Sequence, residues 1–212
     1  MATQTRTQRM QVVTPKGTAG FCFLDRPSTK FDPDGQYQVD IILEPGPSLE
    51  SFQAELTKFG EEARRNLDLG TDVPISLPIV EHKDADKKAT GKMAIRCRQK
   101  ASVQPRDGGP PLQFRVTVVD AKTNPIVPCP KVGAGSEVIA ACDALANFVQ
   151  GKLYVSLKPR VVQILQLIEY GQASPSMYGL QSQDGWEAPA PTAVDESTDE
   201  KSIDTDTDGP DY

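Results

Sequence analysis

The sequence contains one histidine, His82, and no Cys-x-x-Cys pair among its four cysteines, Cys22, Cys97, Cys129 and Cys142. Zinc centres need clustered Cys and His ligands, so none is expected. The cysteines read as reduced and structural, in a cytosolic setting, because free cysteine usually packs as a small hydrophobe. Long apolar runs are also missing. MATQTRTQRMQVV at the N-terminus holds none, so no secretory signal is read there. Nor does any stretch reach the roughly 18 apolar residues of a membrane-spanning helix. A soluble, intracellular protein is expected.

Catalytic signatures are absent too. Gly133-Ala134-Gly135-Ser136 resembles a phosphate loop only superficially, since it lacks the Gly-Lys-Ser/Thr ending and the lysine that would meet phosphate. A tight turn into a strand explains it. His82 lies in a stretch of mixed charge, and Asp84 and Asp86 sit among lysines. The clustered carboxylates that a metal-dependent nuclease needs are not found. The expectation is no enzyme, no metal and no cofactor.

What the sequence has is an uneven distribution of charge. The net charge is −6, but residues 195–212 hold eight of the 29 acidic residues and one of the 23 basic ones. The rest therefore carries 21 acids and 22 bases. A near-neutral body bears an acidic tail made of Asp195, Glu196, Asp199, Glu200, Asp204, Asp206, Asp208 and Asp211, closed by the aromatic Tyr212. Such a tail suits a basic surface, its own or a partner's; the plainer alternative is a solubilising disordered segment. Residues 172–194 are rich in Pro, Gly and Ser and read as a linker, leaving 1–171 as the folded domain, its first eight residues polar and loose.

Within that domain, MQVV and FCFLD flank a turn-prone PKGTAG and read as two strands. Tyr37, Val39, Ile41 and Leu43 alternate with Gln36, Gln38 and Asp40, the pattern of a half-buried strand. Ser48 is a candidate N-cap. Leu49, Phe52, Leu56, Phe59, Ala63 and Leu67 then recur at steps of three and four, one apolar stripe of a helix ended by Gly70 and Pro74. EHKDADKKATGK reads as a charged loop, GKMAIRCRQKASV and FRVTVVD as strands, and TNPIVPCP as a crossing. ACDALANF fits a short helix or a continued strand equally. GKLYVSLKPRVVQILQLIEYG gives one or two strands interrupted near Pro159. Some seven short strands and one long helix fit a small, closed or nearly closed β-barrel with the helix over an opening.

Two alternating rows carry the functional signal. Arg96, Arg98 and Lys100 leave their strand on one side, opposite Met93, Ile95 and Cys97. Lys152, Tyr154, Ser156 and Lys158 likewise oppose Leu153, Val155 and Leu157. Cations at every second residue can follow a phosphodiester backbone, and an exposed ring among them can stack on a base. Phe148 is a second stacking candidate, Arg115 and Arg160 extend the positive surface, and Lys87, Lys88, Lys92 and Arg106 add loop cations. A merely solvated sheet face, with Tyr154 and Phe148 packed in the core, is the plainer alternative. Bases must be unstacked to meet such a face, which favours single strands. The tail would then compete for the same groove as a tethered polyanion.

YQVDIIL before the helix, FRVTVVDAKTNPIVPCPKVGAGSEV, GKLYVSLKPRVVQILQLIEYG and the acidic tail with its final aromatic together resemble the single-stranded DNA-binding proteins of T-seven-like short-tailed bacteriophages. The resemblance runs from about Thr14 to Gly171 and includes the tail. It implies a mainly β fold: an OB-fold five-stranded barrel with additional strands and one long helix. It also implies non-sequence-specific binding of single-stranded DNA, with RNA the other candidate. It places the protein in phage replication, recombination and repair, with strand annealing, in the cytoplasm of the infected bacterial host. The partners it implies are a second copy, and the phage DNA polymerase and helicase-primase reached through the tail. An interaction module or chaperone-like factor whose tail binds basic clients is the alternative function.

Overall fold

In a computed structural model, residues 8–30, 32–105 and 108–169 are described. The expected linker, the acidic tail with Tyr212, residues 1–7 and Arg106 lie outside them. The chain forms β1 (Gln8–Val13), β2 (Gly17–Ser28), β3 (Gln36–Leu43), α1 (Pro47–Asn66), β4 (Ile75–Ser76), β5 (Ile79–Lys83), β6 (Ala89–Lys100), β7 (Ser102–Val103), β8 (Leu112–Gln113), β9 (Thr117–Val119), β10 (Glu137–Val149) and β11 (Lys152–Gln166). Among the described residues no helix is long and apolar enough to cross a membrane.

Five strands close on themselves in the order β2–β3–β6–β11–β10 and back to β2. Four of these joints are antiparallel; β6 and β11 run parallel, through the pair Cys97–Leu157. This is the OB-fold barrel. Its interior is what the alternation predicts. Val39, Ile41, Ile95, Cys97, Val138, Ala140, Ala144, Leu153 and Leu157 are all buried. Small residues on β10 face larger ones on β3, β6 and β11, so the narrow interior fills without voids.

α1 lies where the apolar stripe requires, with Leu49, Phe52, Leu56, Phe59 and Ala63 buried against β4, β10 and β11. Burying a side chain such as Leu56 contributes about 1.5–3 kcal/mol. Gly60 sets how closely the helix approaches: a Cβ there would stand 2.8 Å from Cγ2 of Ile75 and 3.5 Å from Cγ2 of Val155. The helix begins two residues earlier than expected. Pro47 occupies its first turn and the cap is Gly46, which offers no side-chain bond, so Ser48 is not the N-cap. It ends at Asn66 rather than Gly70, and the Leu67 amide returns to the Ala63 carbonyl.

Other expectations need correction. Among the described residues eleven strands replace seven, and four of them reach twelve residues or more. Gln8, counted with the loose N-terminus, opens β1. ACDALANF is strand throughout, held on one side by β1 and on the other by β11. EHKDADKKATGK is mostly the two arms of the β5–β6 hairpin. FRVTVVD is strand only over Thr117–Val119. β11 does not break at Pro159. The register passes from Cys142–Pro159 to Ala141–Val161, so Arg160 is an extra residue in a bulge, where a proline's missing N–H is tolerated.

All four cysteines are free. Burial pushes the Cys22 thiol up to about 12 and the Cys129 thiol up to about 11. Cys97 is raised too, first by its contact with Cys142, Sγ to Sγ 3.7 Å, and then by burial. Leu157 stands where the barrel's parallel joint forms, so Leu157→Ala is expected to cost about 2–5 kcal/mol, read from urea denaturation.

Candidate nucleic-acid interface

Because Cys97 and Leu157 both face inward and are paired, the residues beside them on β6 and β11 face outward together. Arg96, Arg98 and Lys100 are exposed on β6, and Ser156 and Lys158 are half-buried on β11. Arg160, turned by the bulge, continues the β11 row. Two of the predicted rows are thus neighbours on one wall of the barrel. They part toward the start of β11, where β4 pairs with Leu153 and Tyr154, and the Arg96 amide bonds the Pro78 carbonyl, 2.8 Å. Arg96 and Lys152–Tyr154 therefore lie on opposite sides of the segment 75–79, which sequence reading did not recognise as strand.

The cations differ in how far they are already satisfied. Lys100 Nζ pairs with Asp32 at 3.0 Å, from the β2–β3 connection. That hydrogen bond raises the Lys100 pKa and lowers that of Asp32. Arg160 Nε donates to Asp143 Oδ2 at 2.5 Å and its guanidinium carbon lies 5.6 Å from the Phe114 ring centroid. Asp143 also takes Arg9 of β1, 2.8 Å. Burial works to raise the Asp143 pKa, but the two guanidiniums outweigh it and hold the carboxyl below its usual value.

Lys158 has the opposite situation. Burial, then Lys100 and Arg160, lowers its pKa. Among the described residues, Arg96, Arg98 and Lys158 have no carboxylate within ion-pairing distance. Asp40, beside Arg96 across β3 and β6, is the acid within this row. Burial raises its pKa against Arg98, Arg96 and His82, and its Oδ1 has no hydrogen-bond partner among the described residues.

The other predicted residues separate. Tyr154 is 41% exposed and pairs with Asn147, on the outward side with Lys152. Phe148 pairs with Leu153, whose side chain is interior. Phe148, although 42% exposed, therefore leaves the β10–β11 hairpin on the face opposite Tyr154. The two candidate rings therefore leave the hairpin on different sides. Arg115 is exposed between half-buried Phe114 and buried Val116. Lys87 and Lys88 stand in the turn between β5 and β6, and Lys92 pairs with Glu44 at 3.1 Å.

No family model and no curated protein matches the sequence. Solved structures do match. Gp2.5, a single-stranded DNA-binding protein encoded by bacteriophage T7, superposes with a TM-score of 0.61 at 19% identity, covering 86% of this chain and all of that one. The fold is shared with phage single-stranded DNA-binding proteins. The single-stranded DNA-binding protein from bacteriophage Enc34, in complex with ssDNA, gives 0.54 at 12% identity, over 76% of this chain and 89% of that one. The C-terminal truncation of the Enc34 protein gives 0.54 at 11% identity, over 75% and 87%. The barrel expected from the resemblance is thus the barrel found.

Sequence reading missed Asp32, Asp143 and Arg9, whose roles depend on contacts far apart in the chain, and an outward aromatic pair, Phe21 and Phe23. The FCFL run signalled a strand but not which side its rings take. Asp143→Asn is expected to destabilise the fold at pH 7 by about 1–3 kcal/mol, the usual worth of hydrogen bonds to a charged group. Because the folded pKa is depressed, that contribution is present above the unfolded value near 3.9 and is lost as pH falls through the folded one. Denaturant titrations from pH 7 to pH 3 should show the gap between variant and wild type closing.

Proposed function

We propose that this protein binds single-stranded DNA without sequence preference along the β3–β6–β11 face of the barrel. The observation that carries the reading is Lys158, a half-buried ammonium between Lys100 and Arg160, beside the unpaired Arg98. Lys100 and Arg160 are held by Asp32 and Asp143, so Lys158 is the member of this cluster without a carboxylate among the described residues, and burial beside two further cations suits it to a polyanion. OB-folds use the face of their second and third strands, here β3 and β6, to hold oligonucleotides. Similarity of fold to proteins whose names state single-stranded DNA binding supports the same conclusion.

Arg96, Arg98, Lys152 and Lys158 meet phosphates, with Lys100 joining when phosphate displaces Asp32. Tyr154 stacks on a base beside Lys152. Arg115 and Phe148 contribute at the margins at most, since Arg115 lies outside the strands and Phe148 leaves the hairpin on the face opposite Tyr154. The protein acts in phage replication, recombination and repair, and in annealing, in the cytoplasm of the infected host. It works as a homodimer without enzymatic activity. The acidic residues from Asp195 to Asp211, with Tyr212, compete for the groove and, once displaced, recruit polymerase and helicase-primase.

Fluorescence anisotropy with a labelled oligonucleotide tests this, single against double stranded. Five phosphate contacts, Lys100 included, give a log–log salt slope of about 3.5, at roughly 0.7 per contact. Arg98→Ala should lower that slope by about 0.7, whereas Tyr154→Ala should cost about 1–3 kcal/mol and leave it unchanged. Failure of the wild-type protein to bind the single strand at low salt would end the proposal.

The tail makes a separate claim. Removing residues 195–212 should tighten binding at low salt, and progressively less as ionic strength rises. Equal affinity of the full-length and shortened chains at low salt would rule the competition out.

A further inference from the structure

The outer face carries a second feature, two strands from the arginines. Between the pairs Ala19–Ile41 and Cys22–Val39, two residues of β2, Gly20 and Phe21, stand against the single residue Asp40 of β3. This bulge turns Phe21 to the outer side, where half-buried Phe23 already points because it pairs with Gln38, a buried residue on the side of β3 opposite interior Val39. Gly20 lets the turn fit, since a Cβ there would lie 2.6 Å from Cδ1 of Ile42. The two rings meet edge to face, centroids 5.1 Å apart, and Phe21 is 50% exposed.

The cross-strand order then reads Phe21–Asp40–Arg96 and Phe23–Gln38–Arg98. Rings and guanidiniums lie two strand spacings apart, about 10 Å. Beside the rings is a cleft of about 950 Å³, walled by Phe21, Phe23 and Ile42 and rimmed by His82, Lys92, Lys131, Arg26 and Asp25. A smaller groove of about 530 Å³ shares Phe21, Ile42 and His82 with it and runs to Asp40 and Arg96. The cleft is therefore continuous with the arginine row.

We infer that Phe21 and Phe23 form a base-binding subsite, in which unpaired bases stack on the rings and enter the cleft while the phosphates of the same strand lie on Arg96 and Arg98. This rests on the single-strand-binding reading and adds a second stacking platform, remote from Tyr154. The occupant is a nucleobase because the ring-lined cleft runs on to Arg96, and its own cations, Arg26, Lys92 and Lys131, outnumber its one carboxylate, Asp25. An apolar peptide would have no use for that rim.

The test compares an oligonucleotide with an abasic strand of equal length and charge, using full-length protein. Wild type should prefer the base-bearing strand. Phe21→Ala and Phe23→Ala should each weaken binding to it at least about fivefold, with the abasic strand and the salt slope unaffected. Phe21→Leu and Phe23→Leu keep apolar bulk without an aromatic face, and should show most of the same loss at unchanged melting temperature. Wild-type binding with the base preference intact in all four variants would overturn the subsite and leave the broader reading standing. No wild-type binding to either strand would overturn both. Variants that keep the base preference but resist displacement of the oligonucleotide by a synthetic peptide of residues 195–212 would assign the cleft to the tail, and the proposal would fall.

Discussion

One parallel joint, Cys97 against Leu157, governs the surface of this molecule. It closes the barrel, and it fixes the phase of two strands whose side chains alternate. A slip of one residue at that joint would turn Arg98 inward and expose Cys97, or turn Lys158 inward and expose Leu157. Burial of an uncompensated ammonium or guanidinium is far too costly for that alternative to compete. The hydrophobic interior therefore enforces the cationic exterior, although none of its atoms touches a ligand.

Much of this was legible in the sequence because the period-two pattern is strong where one face is core and the other is water. β3, β6 and β11 show it plainly, and α1 shows its helical counterpart. The reading failed where tertiary pairing overrides local preference. Glu137–Val149 is rich in alanine and favours a helix by propensity, yet β1 and β11 hydrogen-bond along both its edges and hold it extended. Ile75–Lys83 carries Pro78 at its centre, and its two short strands exist only because β11 and β6 supply partners.

The site was legible in part for a related reason. Alternation says which residues leave a strand together, but not what stands beside them. Asp32 beside Lys100, Asp143 beside Arg9 and Arg160, and Asp40 beside Arg96 are separated in the chain by up to 134 residues. No local pattern announces them. Bulges are equally silent: the extra residues at Arg160 and at Gly20–Phe21 shift the phase of everything downstream, which is why one ring row went unseen and why Pro159 looked like an end.

The crowding around Lys158 makes dissolved ions act on this protein in two opposed ways. Salt screens the repulsion that Lys100 and Arg160 exert on Lys158. The same ions replace those that a polyanion would otherwise set free on docking, so they weaken its hold. For the polyanion proposed above, dilute buffer is therefore where the hold on this wall is tightest.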